Sequence, residues 1–169
     1  MEAMDAILSR RSIRKYTEDP VPEKVINELL EAAMSAPSSS NQQPWHFVVI
    51  TDRTILFEIP RFHPHSNMLY EAPLVIAVCG DLNLEKNKGM WVQDCSAATQ
   101  NILLAAKAKG LGAVWLAVYP REHLINSVRK LLALPQHVFP LSLVSVGYPA
   151  EEKPRANRFN ASKVHQNRW

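Results

Sequence analysis

The sequence predicts a single domain of mixed helices and strands folded around one sheet. Three observations carry this. Amphipathic helical periods alternate with short β-branched runs along most of the chain. Its 169 residues suffice for one core that buries roughly 70% of the unfolded surface. No internal repeat, low-complexity stretch or linker divides them, so residues 1–169 are expected to form one domain.

The elements follow in order. Met1 to Ser9 reads as a short helix. Val25, Ile26, Leu29, Leu30, Ala33 and Met34 then fall three and four apart between charged residues, a one-sided helix with Pro22 at its first position. "HFVVIT" (His46 to Thr51) and "PLVIAVCG" (Pro73 to Gly80) read as strands, with a short helix near Thr54 to Ile59 between them. Trp91 to Lys109 is the longest helical pattern and leaves only a narrow polar stripe, so it is expected to be central and buried on most sides. Gly110 ends it, and Ala113 to Val118 forms a third strand. Leu124, Ile125, Val128, Leu131 and Leu132 mark a helix opened by Pro120, and "PLSLVSVGYP" (Pro140 to Pro149) is the last strand. After Pro149 the period is lost, and Phe159, Val164 and Trp169 are isolated apolar residues in a charged tail. Such a tail is either a frayed terminus or a strap lying across a partner subunit.

Composition excludes several classes. An apolar share of 47% and a charged share of 21% are ordinary globular values. The longest apolar run, "PLVIAVC", is far short of the ~20 residues of a membrane span. No signal peptide is visible, so a soluble, cytoplasmic protein is expected. Cys79 and Cys95 lie in apolar patterns and are expected to be buried, reduced thiols. The net charge of +3 does not demand nucleic acid or a membrane surface. The bases nevertheless cluster in "RRSIRK" (Arg10 to Lys15) and "EKPRANR" (Lys153 to Arg158), two ends that a fold could bring to one anion.

"RRSIRKY" reads either as solvated charge at a helix C-terminus or as a phosphate clamp, with planar forks from Arg10 and Arg11, a hydroxyl from Ser12, and Arg14 projecting elsewhere. "APSSSNQQPW" (Ala36 to Trp45) is either a polar loop or a set of small hydroxyls and amides suited to a flat heteroaromatic ligand. There is no GxGxxG, phosphate-binding loop or GxSxG elbow. His63 and His65 sit two apart with no nearby Cys, Asp or Glu to complete a set, so no metal centre is expected.

Taken together, "RRSIRKY", "APSSSNQQPWHFVVI", "EAPLVIAVCGD", "GLGAVWLAVYP" and the terminal "SKVHQNRW" resemble, in order, the nitroreductase family of flavin enzymes in its short form. The resemblance implies an α+β fold with a central, mostly antiparallel sheet flanked by helices. It further implies a domain-swapped homodimer with the C-terminal tail across the partner and an FMN at each of two interface sites. On that pattern Arg10, Arg11, Ser12 and Arg14 hold the FMN phosphate and flavin edge, while Pro37, Ser38, Ser39 and Asn41 come from the other protomer. Leu116, Ala117 and Val118 run along the flavin, with Ala117 standing where relatives often have Gly. Asn67 takes the place of a Lys or Asn that relatives set against the flavin. Arg158 completes the phosphate site, with Arg155 or Lys153 as further candidates.

The implied activity is hydride transfer from NADH or NADPH through FMN to a small oxidised acceptor (a nitroaromatic, a quinone or a flavin), by a ping-pong mechanism. No protein side chain is expected to act as acid, base or nucleophile. A relative with dehalogenase or flavin-destructase chemistry, or a non-catalytic FMN-binding or phosphate-binding protein, would use the same loops. Neither nucleic acid nor membrane is expected as a partner.

Overall fold

A computed structural model describes all of residues 1–169. Five α-helices and four strands follow in the order α1 (Ala3–Ser9), α2 (Glu23–Met34), β1 (Trp45–Ile50), α3 (Arg53–Glu58), β2 (Leu74–Asp81), α4 (Trp91–Ala108), β3 (Gly112–Ala117), α5 (Glu122–Leu131) and β4 (Val138–Gly147). This is the predicted order, with ends displaced by at most two residues. The strands form one sheet in the order β1-β2-β4-β3, and every pairing is antiparallel.

Alternation along the inner strands builds two cores. On β2, Leu74, Ile76 and Val78 join Leu29 of α2 and Ala98 and Ile102 of α4 on one face. Val75, Ala77 and Cys79 join Leu56 of α3 and Leu124 and Val128 of α5 on the other. A period of two on a strand covered on both sides reads as an unbroken apolar run, which is why β2 is buried at all eight positions. The last strand begins two residues earlier than its sequence pattern indicated. Pro140 therefore falls inside an inner strand, and the β2–β4 register shifts where it sits, between Val78 and Cys79. Proline has no N–H for the ladder, so a bulge absorbs it.

Helix α4 is the central helix, buried at Trp91, Cys95, Ala98, Ile102 and Ala106. Both cysteines are free and buried, and burial pushes the Cys79 thiol up to about 12 and the Cys95 thiol upward as well. No helix is long and apolar enough to cross a membrane. The tail from Asn157 onward is exposed at every residue, including Phe159 at 83% and Trp169 at 101%.

Candidate functional site

The segment after α1 is held against the sheet by its own backbone. Ile13 N–H donates to the Ala113 carbonyl at 3.1 Å, and Ser12 bridges Ala113 in parallel fashion. Gly112 makes this approach possible, because a Cβ there would lie 2.6 Å from Ile13 Cγ2. Tyr16 locks the far end: its buried hydroxyl donates to the Ile13 carbonyl at 2.7 Å and accepts from Ser145 Oγ at 2.7 Å. Thr17 N–H donates to the Tyr148 carbonyl and Ala150 N–H to the Lys15 carbonyl, both at 2.9 Å. The chain leaving β4 therefore runs beside the chain leaving α1.

This brings the two basic segments together. Arg11 donates to the Pro154 carbonyl, and Lys153 Nζ donates to the Ser12 carbonyl at 2.7 Å. Arg10, Arg155 and Arg158 line one cavity of about 570 Å³ with Ile7, Leu8 and Phe159. Burial lowers the pKa of Arg10, and the nearby Arg158 and Arg11 guanidiniums lower it further. None of the side chains of Arg10, Arg14, Arg155 and Arg158 forms an ion pair or hydrogen bond within the chain. Arg14 faces a second cavity, of about 320 Å³, with Pro64, His65, Asn67 and Met68.

Glu151 ties the root of the tail to this segment. Its Oε1 accepts the Arg14 backbone N–H at 2.5 Å and pairs with Lys153 Nζ at 3.0 Å. The Arg14 N–H, with a further contribution from Lys153, holds this carboxyl below the usual carboxylate range. A depressed folded value stabilises the bound state above the unfolded pKa, near 4.3, and that contribution is lost as pH falls through the folded value. Acidification below about pH 4 is thus expected to expose the 151–156 root to protease. Glu151→Gln is expected to abolish that pH dependence. Wild-type cleavage that does not change between pH 6 and pH 3.5 would count against it.

The serine-rich loop lies elsewhere. Ser39 N–H donates to Asp94 Oδ1 at 2.9 Å, and the Gln42 amide donates to Asp94 Oδ2 at 2.6 Å. Gln42 Oε1 in turn accepts from the backbone N–H groups of Lys86 and Asn87, and the Asn87 amide donates to both Ser39 Oγ and Ser40 Oγ at 2.8 Å. Ser38 Oγ accepts from Gln43 N–H, and Asn41 Oδ1 from the Gln43 amide. Part of the loop's hydrogen-bonding capacity is therefore spent within the chain. Ser40, Asn41 and Gln43 all adopt left-handed backbone, at φ of 49°, 52° and 46°. Three such residues in four positions store strain that the anchors must hold, a pattern concentrated at ligand sites.

Asp94 lies in the first turn of α4, whereas Arg10 and Arg11 line a cavity with Leu103 and Lys107 near its other end. At 1.5 Å per residue the two clusters are about 14–20 Å apart along the helix. One chain does not bring Pro37, Ser38, Ser39 and Asn41 to Arg10 and Arg11. At the end of β3, Leu116 and Val118 are buried and Ala117 is exposed, and the Ala117 carbonyl accepts from His63 Nε2 at 3.1 Å. Sequence reasoning gives no anchoring role to Asp94 or Gln42 and no role to His63. For Asp94 a signal was present: a carboxylate between Trp91 and Cys95 on the apolar face of a helix calls for polar partners. No group of three or more His, Cys, Asp or Glu residues is arranged to hold a metal ion.

Fold and site together define an α+β domain with a strained, polar loop at one end of its central helix and unpaired guanidiniums at the other. The nitroreductase family model matches residues 7–67 and 62–148. This chain belongs to the nitroreductase family. It is 48% identical over 169 residues to the "Putative NADH dehydrogenase/NAD(P)H nitroreductase" of Methanothermobacter thermautotrophicus, covering 100% of this chain and 88% of the relative. A solved structure of the same description from Parabacteroides distasonis superposes with a TM-score of 0.95 at 45% identity, over 99% of this chain and 98% of that one. An FMN-dependent nitroreductase from Clostridium difficile superposes with a TM-score of 0.91 at 31% identity, over 98% and 99%.

Proposed function

We propose that this chain is an FMN-dependent NAD(P)H oxidoreductase, working as a homodimer, that reduces a small oxidised acceptor. The observation that carries the reading is that Arg10, Arg155 and Arg158 converge from both chain ends on one cavity, with Arg14 at a second, all four left without a carboxylate partner. Arg10 is partly buried while Arg14, Arg155 and Arg158 are exposed, so these cations are open to an anion from outside, and their planar forks suit a phosphate dianion. The residues present fit the cofactor: cations for its phosphate, Ser12 and the loop hydroxyls for its ribityl chain, and Arg14 and Asn67 across a cavity that admits a ring edge. The relatives point the same way, since their names include NAD(P)H nitroreductase and FMN-dependent nitroreductase.

Bound FMN supplies hydride acceptance and donation, the chemistry no side chain here provides. Arg10, Arg11 and Arg158 anchor the phosphate, with Arg155 and Lys153 beside them. Arg14 presents positive charge where the pyrimidine edge of the flavin becomes more negative on reduction. Ser38, Ser39 and Asn41 act on the cofactor of the other protomer, because within one chain they stand at the wrong end of α4. The exposed Phe159, Val164 and Trp169 become buried when the tail lies across the partner. Nicotinamide cofactor and acceptor use the same cleft in turn, since no separate dinucleotide motif exists.

The test is the visible spectrum of the purified protein together with its mass in solution. A yellow dimer with parallel double-reciprocal lines for donor and acceptor is the expected result. A colourless monomer that stays so in excess FMN overturns the reading, and intersecting lines overturn the ping-pong order.

A further inference from the structure

His63 is 2% exposed and belongs to no part of the chemistry described above. Its two ring nitrogens meet partners that each have a single role. The Ala117 carbonyl, 3.1 Å from Nε2, can only accept, and the His65 backbone N–H, 3.3 Å from Nδ1, can only donate. The contacts therefore specify the neutral ring with its proton on Nε2. Ser66 Oγ adds a third tie by donating to the His63 carbonyl at 2.8 Å.

Both things the ring holds belong to walls of the proposed flavin site. Ala117 ends β3, where the ladder has run out: Val118 N–H and Tyr119 N–H both go to the Leu141 carbonyl, at 3.1 Å. Without His63 the Ala117 carbonyl loses its side-chain donor. On the other side, the 63–67 loop carries His65 and Asn67 into the cavity that Arg14 faces.

We propose that His63 is a positioning residue of the flavin site, its Nε2–H and Nδ1 setting the separation between the end of β3 and the loop that carries Asn67. The inference rests on the proposed FMN site. Ring protonation would turn Nδ1 into a donor facing the His65 N–H and so release the loop. The groups that face the ring are His65 on its own loop and the Arg121 guanidinium ahead of α5. Burial above all, with the neighbouring His65 and Arg121 adding to it, holds the ring below the usual imidazole value against the opposing pull of the Ala117 carbonyl.

Three variants separate this role from simple packing. In His63→Gln the side-chain amide can reproduce the Nε2 donor, in His63→Asn the carbonyl oxygen can reproduce the Nδ1 acceptor, and His63→Phe has neither. FMN affinity of the apoprotein is measured by fluorescence titration. It is expected to fall about tenfold in His63→Phe and less than about threefold in His63→Gln. With FMN saturating, His63→Phe is expected to shift the visible flavin bands, which a purely structural defect would leave alone. The kcat/KM profile of the wild type is expected to lose activity on acidification below the ordinary imidazole value, and that acid limb is expected to vanish in His63→Gln. Equal FMN affinity, flavin spectrum and pH profile in wild type and all three variants overturn the role. If His63→Phe does not fold, the affinity and pH profile of His63→Gln and His63→Asn decide, and wild-type values in both overturn it. A wild type that binds no FMN overturns the flavin reading itself, and this role with it.

Discussion

Replacing Arg10 and Arg14 together by alanine is expected to yield a folded protein that purifies colourless and binds FMN about 10²–10⁴-fold more weakly than the wild type. A hydrogen bond to a charged group is worth about 1.5–3 kcal/mol, so two add to about 3–6 kcal/mol, and each 1.4 kcal/mol is tenfold in Kd. Folding should be little affected, because neither guanidinium is paired within the chain. Removing Arg10 also relieves its repulsion with Arg158 and Arg11. The measurement is fluorescence titration of apoprotein with FMN, alongside a thermal melt. Arg61→Ala, at an exposed pair with Glu58, serves as a control with no expected effect on FMN. A double variant that stays yellow through dialysis would remove the phosphate clamp from the argument.

Asp94→Ala is expected to lower stability by about 2–4 kcal/mol and to weaken FMN binding at the same time. Asp94 is 4% exposed and accepts from both Ser39 N–H and the Gln42 amide. Its loss strands two donors and frees a loop whose left-handed residues, Ser40, Asn41 and Gln43, relax once unheld. For a chain of this size each kcal/mol moves Tm by about 2–4 °C, which predicts a drop of about 4–16 °C. Asp94→Asn keeps acceptor capacity on one oxygen and should fall between. The coupled loss of Tm and FMN affinity is the distinguishing result. A melt that drops while affinity holds would mean that the loop serves the fold alone.

The two variants probe opposite ends of α4, and they differ in what a reader of the sequence could foresee. Arg10 and Arg14 stand in a short basic run whose residue chemistry points to an anion without any structure. Asp94 is one acidic residue in a helical pattern, and nothing local says that its partners are Ser39 and Gln42, more than fifty positions back. The same holds for His63: the lack of a nearby Cys, Asp or Glu argues against a metal there, but its contact with Ala117, 54 residues on, leaves no trace in local sequence.

The sequence by itself determined the order and type of all nine helices and strands and the family, because periods of two and of 3.6 are written into neighbouring residues. It also placed Cys95 in the core, and it marked the tail after Pro149 as unable to pack alone. Only the tertiary structure decided that the two basic ends of the chain meet, that the serine-rich loop is strained and clamped by Asp94, and that this loop and the guanidiniums lie at opposite ends of one helix. Those facts depend on contacts between distant residues, whose pairing is set by how the sheet and its two helical layers close, and no local pattern encodes which partners that closure brings together.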